Sequence, residues 1–260
     1  MNVQEQKCRR ETVRICHQIY RQGFVAATDG NISARIKKDR ILTTPTGVSK
    51  GSVTEDDLVI TDLEGNRISG KREPSSEIRI HLCVYNMRPD VKAVIHAHPP
   101  ISTAFSIAGV SIAQCILPEV ILTLGSIPTT RYATPTTEEG PEVVTEYIGN
   151  YDAMILDHHG SLTVGRNLEE AYLRLEKVEH AAEITLYARQ LGPVRQLDRQ
   201  QVDRLLSMRK EMGKKLPDFR HCGLCVNRRD KEQNPDAFQV DEEKIVTEIV
   251  TAISKISNPN

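Results

Sequence analysis

The amino-acid sequence predicts a single α/β domain followed by a C-terminal extension. The chain has 260 residues, 39% of them apolar, which is enough material for a large buried core. Short apolar runs typical of strands alternate with longer segments whose apolar residues recur at helical spacing. No repeat or long linker divides the first part of the chain. We therefore expect one domain over residues 1–216 and an extension over residues 217–260.

Charge and composition exclude several classes of protein. The 34 Lys and Arg residues are balanced by 35 Asp and Glu, and aromatic residues make up only 4% with no Trp, so a nucleic-acid partner is not expected. No apolar stretch approaches the roughly 18–20 residues that span a bilayer, and no secretory signal is visible. We expect a cytoplasmic enzyme that binds neither nucleic acid nor membrane and whose six cysteines are mostly free thiols.

The predicted elements of the N-terminal part are a helix, two hairpins and a second helix. The first helix covers residues 3–22 and ends at Gly23, because its apolar positions recur at helical spacing. The hairpins pair residues 32–36 with 40–44, and residues 58–60 with 67–68, across polar or glycine-containing turns. The second helix begins near Ser75 or Ser76, since serine is a favourable N-cap.

The C-terminal part begins with a short apolar run, residues 91–96, which is typical of a buried strand and is ended by Pro99 and Pro100. The remaining predicted elements are strands over residues 125–130 and 153–156, helices near residues 138–149, 168–190 and 198–213, an irregular stretch over residues 217–239, and a terminal helix over residues 240–256.

The clearest chemical signal is the pair His96 and His98 at the end of the predicted strand. Residues two apart in an extended chain project to the same side, so both imidazoles can face one point. Two converging imidazoles are a reasonable first half of a divalent-metal site. The alternative is that both histidines stand at a strand end without a shared role.

A second histidine pair, His158 and His159, follows another apolar strand and suggests that both pairs lie on one rim of the sheet. The two neighbours point to opposite sides. We prefer His159 as a ligand, because Gly160 gives its backbone more freedom, and assign His158 a structural role. Glu77 is a candidate carboxylate ligand, although an acid at a helix start also complements the helix dipole.

Three polar segments could together cradle a phosphate. Thr28–Ser33 and Thr44–Gly47 offer hydroxyls, an amide and glycine backbone N–H groups, and Ser75 and Ser76 add a helix N-terminus. Each segment by itself is also typical of an ordinary turn, because Gly and Asn favour turns for backbone reasons.

Taken in order, these motifs resemble the class II aldolase/adducin family, and within it the L-fuculose-phosphate aldolases, over about residues 5–190. The resemblance implies a three-layer αβα fold with a central, mainly antiparallel sheet, together with a C-terminal helical extension in this chain. It also implies a homotetramer with active sites at subunit interfaces. The motifs that carry it are Thr28–Ser33, Thr44–Gly47, Pro74–Glu77, His96–His98, His158–Gly160 and Glu169–Ala171.

The resemblance further implies a metal-dependent aldolase that cleaves a ketose 1-phosphate, such as L-fuculose 1-phosphate, to dihydroxyacetone phosphate and an aldehyde such as L-lactaldehyde. Zn²⁺ is the expected cofactor, with Mn²⁺, Fe²⁺ or Co²⁺ as alternatives. Glu77 would be both a resting metal ligand and, once displaced by substrate, the base. The implied ligands are His96, His98, His159 and Glu77, and the implied phosphate-binding residues are Gly30, Asn31, Thr46, Gly47, Ser75 and Ser76.

Two features depart from the family pattern. The fuculose-phosphate aldolases have a catalytic tyrosine after the His-X-His pair, whereas residues 115–121 contain none. Glu119 is the candidate to move that proton, as in the methylthioribulose-phosphate dehydratases, so a sugar-phosphate dehydratase is the alternative reaction. Glu119 could equally be a solvated loop residue. A non-catalytic protein of the adducin type is a third hypothesis.

The second departure is the tail, which lies beyond the family core. His221, Cys222 and Cys225 offer a possible metal or redox group there. The alternative is that the tail packs against a neighbouring subunit or over the active site.

Overall fold

The computed structural model describes residues 3–216. The predicted terminal helix over residues 240–256 and the group formed by His221, Cys222 and Cys225 lie outside the described residues. The division of the chain into residues 1–216 and 217–260 stays a prediction.

Seven strands form one sheet in the order β4-β3-β2-β1-β5-β7-β6, and every neighbouring pair is antiparallel. Both predicted hairpins are present as β1–β2 and β3–β4. Strand β1 also pairs with β5, which sets Asn31 opposite His96. The strands are β1 (Asn31–Lys37), β2 (Arg40–Thr43), β3 (Val59–Thr61), β4 (Arg67–Ser69), β5 (Ala93–Ala97), β6 (Ala153–Leu156) and β7 (Gly160–Gly165).

Helices cover both faces of this sheet, which confirms the predicted three-layer αβα architecture. Helices α1 and α6 pack on one face, and α2 and α5 pack on the other. No helix within residues 3–216 has the length and apolar character needed to cross a bilayer. The helices are α1 (Val3–Arg21), α2 (Ile78–Met87), α3 (Pro100–Ile107), α4 (Pro118–Thr123), α5 (Glu139–Ile148), α6 (Leu168–Leu191) and α7 (Arg199–Glu211), with a short 3-10 turn at Glu55–Asp57.

The two cores follow from the alternation of side chains along the central strands. In β5, Ile95 packs into the core beneath α1 and α6, whereas Val94 packs into the core beneath α2 and α5. His96 therefore belongs to the same face as Val94, the face on which the first residues of α2 lie. This alternation sets the strand-end histidine beside the helix that follows Glu77.

The prediction of a strand over residues 125–130 is wrong. This segment makes only an isolated parallel bridge, between Thr129 and Ile155 at the outer edge of β6. Pro128 lacks an N–H, so a regular ladder does not extend through it, although the Pro128 carbonyl accepts a hydrogen bond from Ile155 N.

Three elements were not predicted. Helices α3 and α4 each carry a proline in their first turn, Pro100 and Pro118, where its missing N–H does no harm. Strand β7 lies between Gly160 and Gly165, residues that weaken a strand pattern in the sequence. The four cysteines among the described residues, Cys8, Cys16, Cys83 and Cys115, are free thiols as expected.

Candidate metal centre and active site

Two strand ends bring three histidines together. His96 and His98 stand at the C-terminal end of β5, and His159 lies in the tight turn between β6 and β7. Because β7 pairs with β5, with Ser161 opposite Ala97, this turn lies beside the two β5 histidines. The three ring centroids are 4.7–4.9 Å apart, and the structure places all three ligand atoms within 4.8 Å of one another.

Glu77 completes the group from the opposite side. It immediately precedes α2, and its carboxylate faces the rings, with Oε2 3.5 Å from His96 Nε2 and Oε1 3.3 Å from His159 Nε2. The Nε2 atoms of His96 and His98 are 3.0 Å apart. The structure therefore brings together the four residues that the sequence proposed as ligands.

The spacing of these atoms fits a divalent cation. Four ligands at the 2.0–2.1 Å bond lengths of zinc lie about 3.3 Å from one another in a tetrahedron, and three of the distances between these side chains, 3.0–3.5 Å, are of this size. Glu77 Oε1 is buried and accepts no hydrogen bond within residues 3–216. A buried carboxylate oxygen without a donor is costly, and a metal ion would satisfy it together with the facing imidazole nitrogens.

The protonation of the histidines also suits metal binding. Burial and the neighbouring His98 and His159 hold the pKa of His96 well below its usual range, and burial with His159 lowers the pKa of His98 to about 4. Both rings are therefore neutral at pH 7, which is the form that coordinates a metal. His96 Nδ1 lies 3.0 Å from the Ser161 carbonyl, which fixes its proton there and leaves the Nε2 lone pair facing Glu77.

Of the two neighbouring histidines, the structure places His159 in the three-histidine group and His158 outside it. His158 adopts a left-handed backbone (φ +56°), and its Nδ1 lies 3.1 Å from Asp157 Oδ1, outside the three-histidine group. Residue 160 must be glycine because the chain at this point lies very close to the end of β5, and not because its backbone needs extra freedom. A Cβ at Gly160 would lie 2.3 Å from the Ala97 carbonyl oxygen and 2.8 Å from Cδ2 of His98.

The three segments predicted to bind phosphate lie side by side. Thr46 N donates to the Glu73 carbonyl at 3.1 Å, and Ser75 N donates to the Thr44 carbonyl at 3.2 Å. Thr44 Oγ1 in turn accepts from Ile32 N at 3.1 Å, next to Asn31. Backbone hydrogen bonds thus join the segments that carry Gly30, Asn31, Thr46, Gly47, Ser75 and Ser76.

Asn31 connects these segments to the metal centre. Its Nδ2 donates to Glu77 Oε2 at 3.1 Å, so the amide orients the carboxylate that faces His96. Gly30 has φ +71°, and a Cβ there would lie 2.9 Å from the His96 carbonyl oxygen. The sequence indicated both residues as turn formers and as candidates for phosphate binding. Their contacts with Glu77 and His96 depend on the pairing of β1 with β5.

Glu119 is not part of this group. It is exposed in the first turn of α4, and within residues 3–216 its carboxylate makes no hydrogen bond or ion pair. Two other contacts of the site were missed by sequence reasoning. The Ser161 carbonyl orients His96, and Asp29 Oδ2 lies 3.8 Å from His98 Nδ1. A backbone carbonyl has no sequence signal, whereas Asp29 stands next to Gly30 in the predicted turn.

Proteins with the same fold are known. The Class II Aldolase and Adducin N-terminal domain family matches residues 10–186, more than half of the chain. The chain belongs to this family. An L-fuculose phosphate aldolase of Methanococcus vannielii is 36% identical over 176 residues, which cover 67% of this chain and 93% of the relative.

A second relative and a solved structure show which activities occur among proteins similar to this chain. A 3-oxo-tetronate 4-phosphate decarboxylase of Pectobacterium atrosepticum is 30% identical over 184 residues, covering 69% of this chain and 84% of the relative. The solved structure of an L-fuculose 1-phosphate aldolase superposes with a TM-score of 0.72 at 26% identity, covering 78% of this chain and 96% of the other.

These matches establish the chain as an enzyme of the metal-dependent aldehyde-lyase class. The hypothesis of a non-catalytic protein of the adducin type is therefore not supported. The three-histidine cluster gives this family assignment a physical basis, since class II aldolases depend on a metal ion.

Proposed function

We propose that this protein is a divalent-metal-dependent aldolase that cleaves L-fuculose 1-phosphate, or a related deoxyketose 1-phosphate, to dihydroxyacetone phosphate and an aldehyde such as L-lactaldehyde. The observation that carries the proposal is the Glu77 carboxylate, which faces the three-histidine cluster and is tied by Asn31 to the segments suited to phosphate. The L-fuculose phosphate aldolases at 36% identity support the substrate.

The proposed cofactor is Zn²⁺, held by His96, His98, His159 and, before substrate binds, Glu77, with Mn²⁺, Fe²⁺ or Co²⁺ as substitutes. When bound, such an ion would supply Lewis-acid polarisation of the ketose carbonyl and stabilise the negative charge left when the carbon–carbon bond breaks. His96 and His98 are neutral imidazoles. Neutral ligands would leave the positive charge of the ion available to attract a substrate oxygen.

The chain's own residues would bind and orient the substrate and move its protons. The phosphate would lie on backbone N–H groups and hydroxyls of Gly30, Asn31, Thr46, Gly47, Ser75 and Ser76. Glu77 would exchange a proton with C3 of dihydroxyacetone phosphate, the carbon that forms or breaks the bond to the aldehyde. Asn31 would keep the Glu77 carboxylate in position for that transfer.

Glu119 is the proposed donor and acceptor for the proton on the aldehyde oxygen. Its exposure in α4 suits a residue that serves the active site of a neighbouring chain. We accordingly propose a homotetramer with active sites at subunit interfaces. The half-exposed Asp29 and the partly exposed His98 lie on the open side of the metal centre, where a second chain would cover them. A cytoplasmic setting fits a substrate that is a sugar phosphate.

A second candidate reaction is decarboxylation of a 3-oxo sugar-acid phosphate, since a relative of this activity is 30% identical. Both reactions break the bond between the α-carbon of a ketone and the next carbon, and both would leave a phosphorylated fragment on the same residues. The sugar-phosphate dehydratase is not favoured by the relatives described above.

Condensation of dihydroxyacetone phosphate with a panel of short aldehydes tests the proposal. We expect protein loaded with zinc or manganese to consume dihydroxyacetone phosphate, and a chelator to stop the reaction. Carbon dioxide release from 3-oxo-tetronate 4-phosphate is measured on the same samples. Metal-loaded protein that releases carbon dioxide and catalyses no condensation would replace the aldolase with the decarboxylase.

A further inference from the structure

The proposed phosphate site contains no charged side chain of its own. Gly30, Asn31, Thr46, Gly47, Ser75 and Ser76 are all neutral, whereas a sugar phosphate carries close to two negative charges at neutral pH. Backbone N–H groups can solvate an anion, but an anion held in a partly buried site is bound more tightly when a fixed positive charge lies nearby. A residue outside these six would have to supply that charge.

Lys50 lies directly behind two of these segments. Its side chain is almost completely buried, with 1% of the residue exposed. The ammonium Nζ donates to the carbonyl oxygens of Thr28 at 2.7 Å and Val48 at 3.0 Å. Thr28 is two residues before Gly30, and Val48 directly follows Gly47. The Lys50 side chain therefore ties the segment before β1 to the segment after β2.

The ammonium is not neutralised by a direct ion pair. Within residues 3–216 no carboxylate oxygen lies within 4.0 Å of Lys50 Nζ, and the third of its three N–H groups has no partner there. Burial lowers the pKa of Lys50, while Cys16 and the carboxylates of Asp29 and Glu77 raise it. A buried cation without a paired anion is destabilising, and a bound anion at the adjacent segments would offset that penalty.

We propose that Lys50 supplies the counter-charge for the substrate phosphate and, through the Thr28 and Val48 carbonyls, holds the two glycine-containing segments in the conformation that receives it. Lys50 is a positioning residue in this scheme, because it acts from behind the segments that touch the phosphate. The inference rests on the proposed function for the identity of the phosphorylated ligand, whereas the binding of phosphate itself is tested separately.

The first measurement is the affinity of the metal-loaded protein for inorganic phosphate by titration calorimetry. We expect Lys50→Gln, which keeps an N–H donor but removes the charge, to weaken phosphate binding by about 10- to 100-fold, as expected for loss of one nearby charge in a partly buried site. Lys50→Arg, which keeps the charge, should bind better than Lys50→Gln. Lys38→Gln is the matched control, because Lys38 is exposed in the β1–β2 turn at the other end of the sheet, and it should leave the affinity unchanged.

Steady-state kinetics distinguish a role of Lys50 in phosphate binding from a general structural defect. Lys50→Gln should raise the KM for L-fuculose 1-phosphate while leaving kcat/KM for unphosphorylated L-fuculose close to that of the wild type. Phosphate affinity within twofold of the wild type in folded Lys50→Gln protein would overturn the proposal. An equal loss with the phosphorylated and the unphosphorylated sugar would also overturn it, because that pattern indicates a structural defect.

A measurement on the unaltered protein covers the case in which Lys50→Gln does not fold. In protein labelled with ¹⁵N-lysine, a buried ammonium bonded to two carbonyls should give the most slowly exchanging side-chain signal. That signal should shift on addition of inorganic phosphate and not on addition of sodium chloride at equal ionic strength. A signal that stays fixed while calorimetry detects phosphate binding would refute the role of Lys50. If the protein catalyses no aldol reaction but binds phosphate in a Lys50-dependent way, the proposed function fails and this inference stands.

Discussion

At the scale of single residues, the site depends on contacts that join segments far apart in the sequence. Glu77 shows this most clearly. Local sequence makes it a candidate metal ligand but favours the interpretation that it complements the dipole of α2, and the resemblance to the family implied the ligand. The structure adds the physical reason, which is that β1, β5 and the β6–β7 turn bring Asn31, His96 and His159, respectively, to its carboxylate. No local sequence pattern predicts that these residues lie close together.

Gly160 provides a test at this scale. A Cβ on residue 160 would overlap the Ala97 carbonyl oxygen and the ring of His98, so Gly160→Ala must displace one of them. We expect a loss of stability of about 2 kcal/mol or more and less than one metal ion bound per chain. Thermal unfolding and metal analysis measure the two effects.

The matched control for this substitution is Gly149→Ala. Gly149 ends α5 in a helical conformation (φ −61°) with nothing within 4 Å of a built Cβ. The control should leave metal content unchanged and alter stability by less than about 1 kcal/mol. Full metal content and wild-type stability in Gly160→Ala would show that the close approach of β7 to β5 does not shape the site.

At the scale of elements, most of the fold could be predicted and the regions around prolines could not. The helical spacing of apolar residues predicted α1, α2, α5, α6 and α7, and the alternating runs predicted both hairpins. Pro100 marked the end of an apolar run in the sequence, yet both Pro100 and Pro118 begin helices. Proline excludes a helix interior but suits a first turn, so its presence does not decide between the two.

Helix α3 also illustrates a stabilising contact that sequence does not reveal. Its N-terminus has no side-chain cap of its own, and its first free N–H groups are satisfied by Glu179 of α6. The carboxylate accepts from Ile101 N and Ser102 N, both at 2.8 Å, and the residue is buried. Since α3 begins directly after His98 and Pro99, this cap also fixes the chain as it leaves the metal centre.

Replacing Glu179 tests the cap. Glu179→Gln removes the charge and one acceptor from the N-terminus of α3, so we expect a loss of about 1–2 kcal/mol in the free energy of unfolding. Urea denaturation at pH 7 measures it. Glu183→Gln on the same helix, where the side chain is partly exposed and bonds to Tyr187, should change stability by less than about 0.5 kcal/mol. Equal effects of the two substitutions would argue against the cap.

At the scale of the whole molecule, buried histidines link stability to pH. Burial lowers the pKa of His81, whose Nδ1 lies 2.7 Å from Ser33 Oγ, to about 3, and the pKa of His98 is about 4. In the unfolded chain both should titrate near 6.5. Between these values the unfolded state binds more protons than the folded state, so acid lowers stability in this window.

For metal-free protein we therefore expect the free energy of unfolding to fall as the pH decreases from about 6.5 toward 4. Each such histidine contributes up to about 1.4 kcal/mol per pH unit. His81→Gln should make this dependence shallower, whereas His180→Gln, which removes an exposed histidine, should not. Urea denaturation in chelator at several pH values measures the slopes. Identical slopes for the two variants would contradict the assignment to His81.

The overall architecture was predicted from the family resemblance, whereas composition and periodicity gave only the α/β class. The histidines could be proposed as ligands because they stand at strand ends, where alternation and position carry information, whereas the roles of Glu77 and of the phosphate-binding residues were chosen over the alternatives only through the family resemblance. What the sequence did not contain was the pairing of β5 with β7 and of β1 with β5. These long-range pairings decide which of His158 and His159 joins the cluster and bring Asn31 and the Ser161 carbonyl into it.

The most direct test of the central claim is the exchange of dihydroxyacetone phosphate hydrogens with deuterium oxide, followed by proton NMR. This exchange requires only the metal, the phosphate site and the base, and needs no aldehyde. We predict that zinc-loaded wild-type protein exchanges one hydrogen at C3, and that Glu77→Gln with equal zinc content does so at least about 100-fold more slowly. Exchange by the zinc-loaded variant at the wild-type rate, or no exchange by the zinc-loaded wild type, would contradict the account.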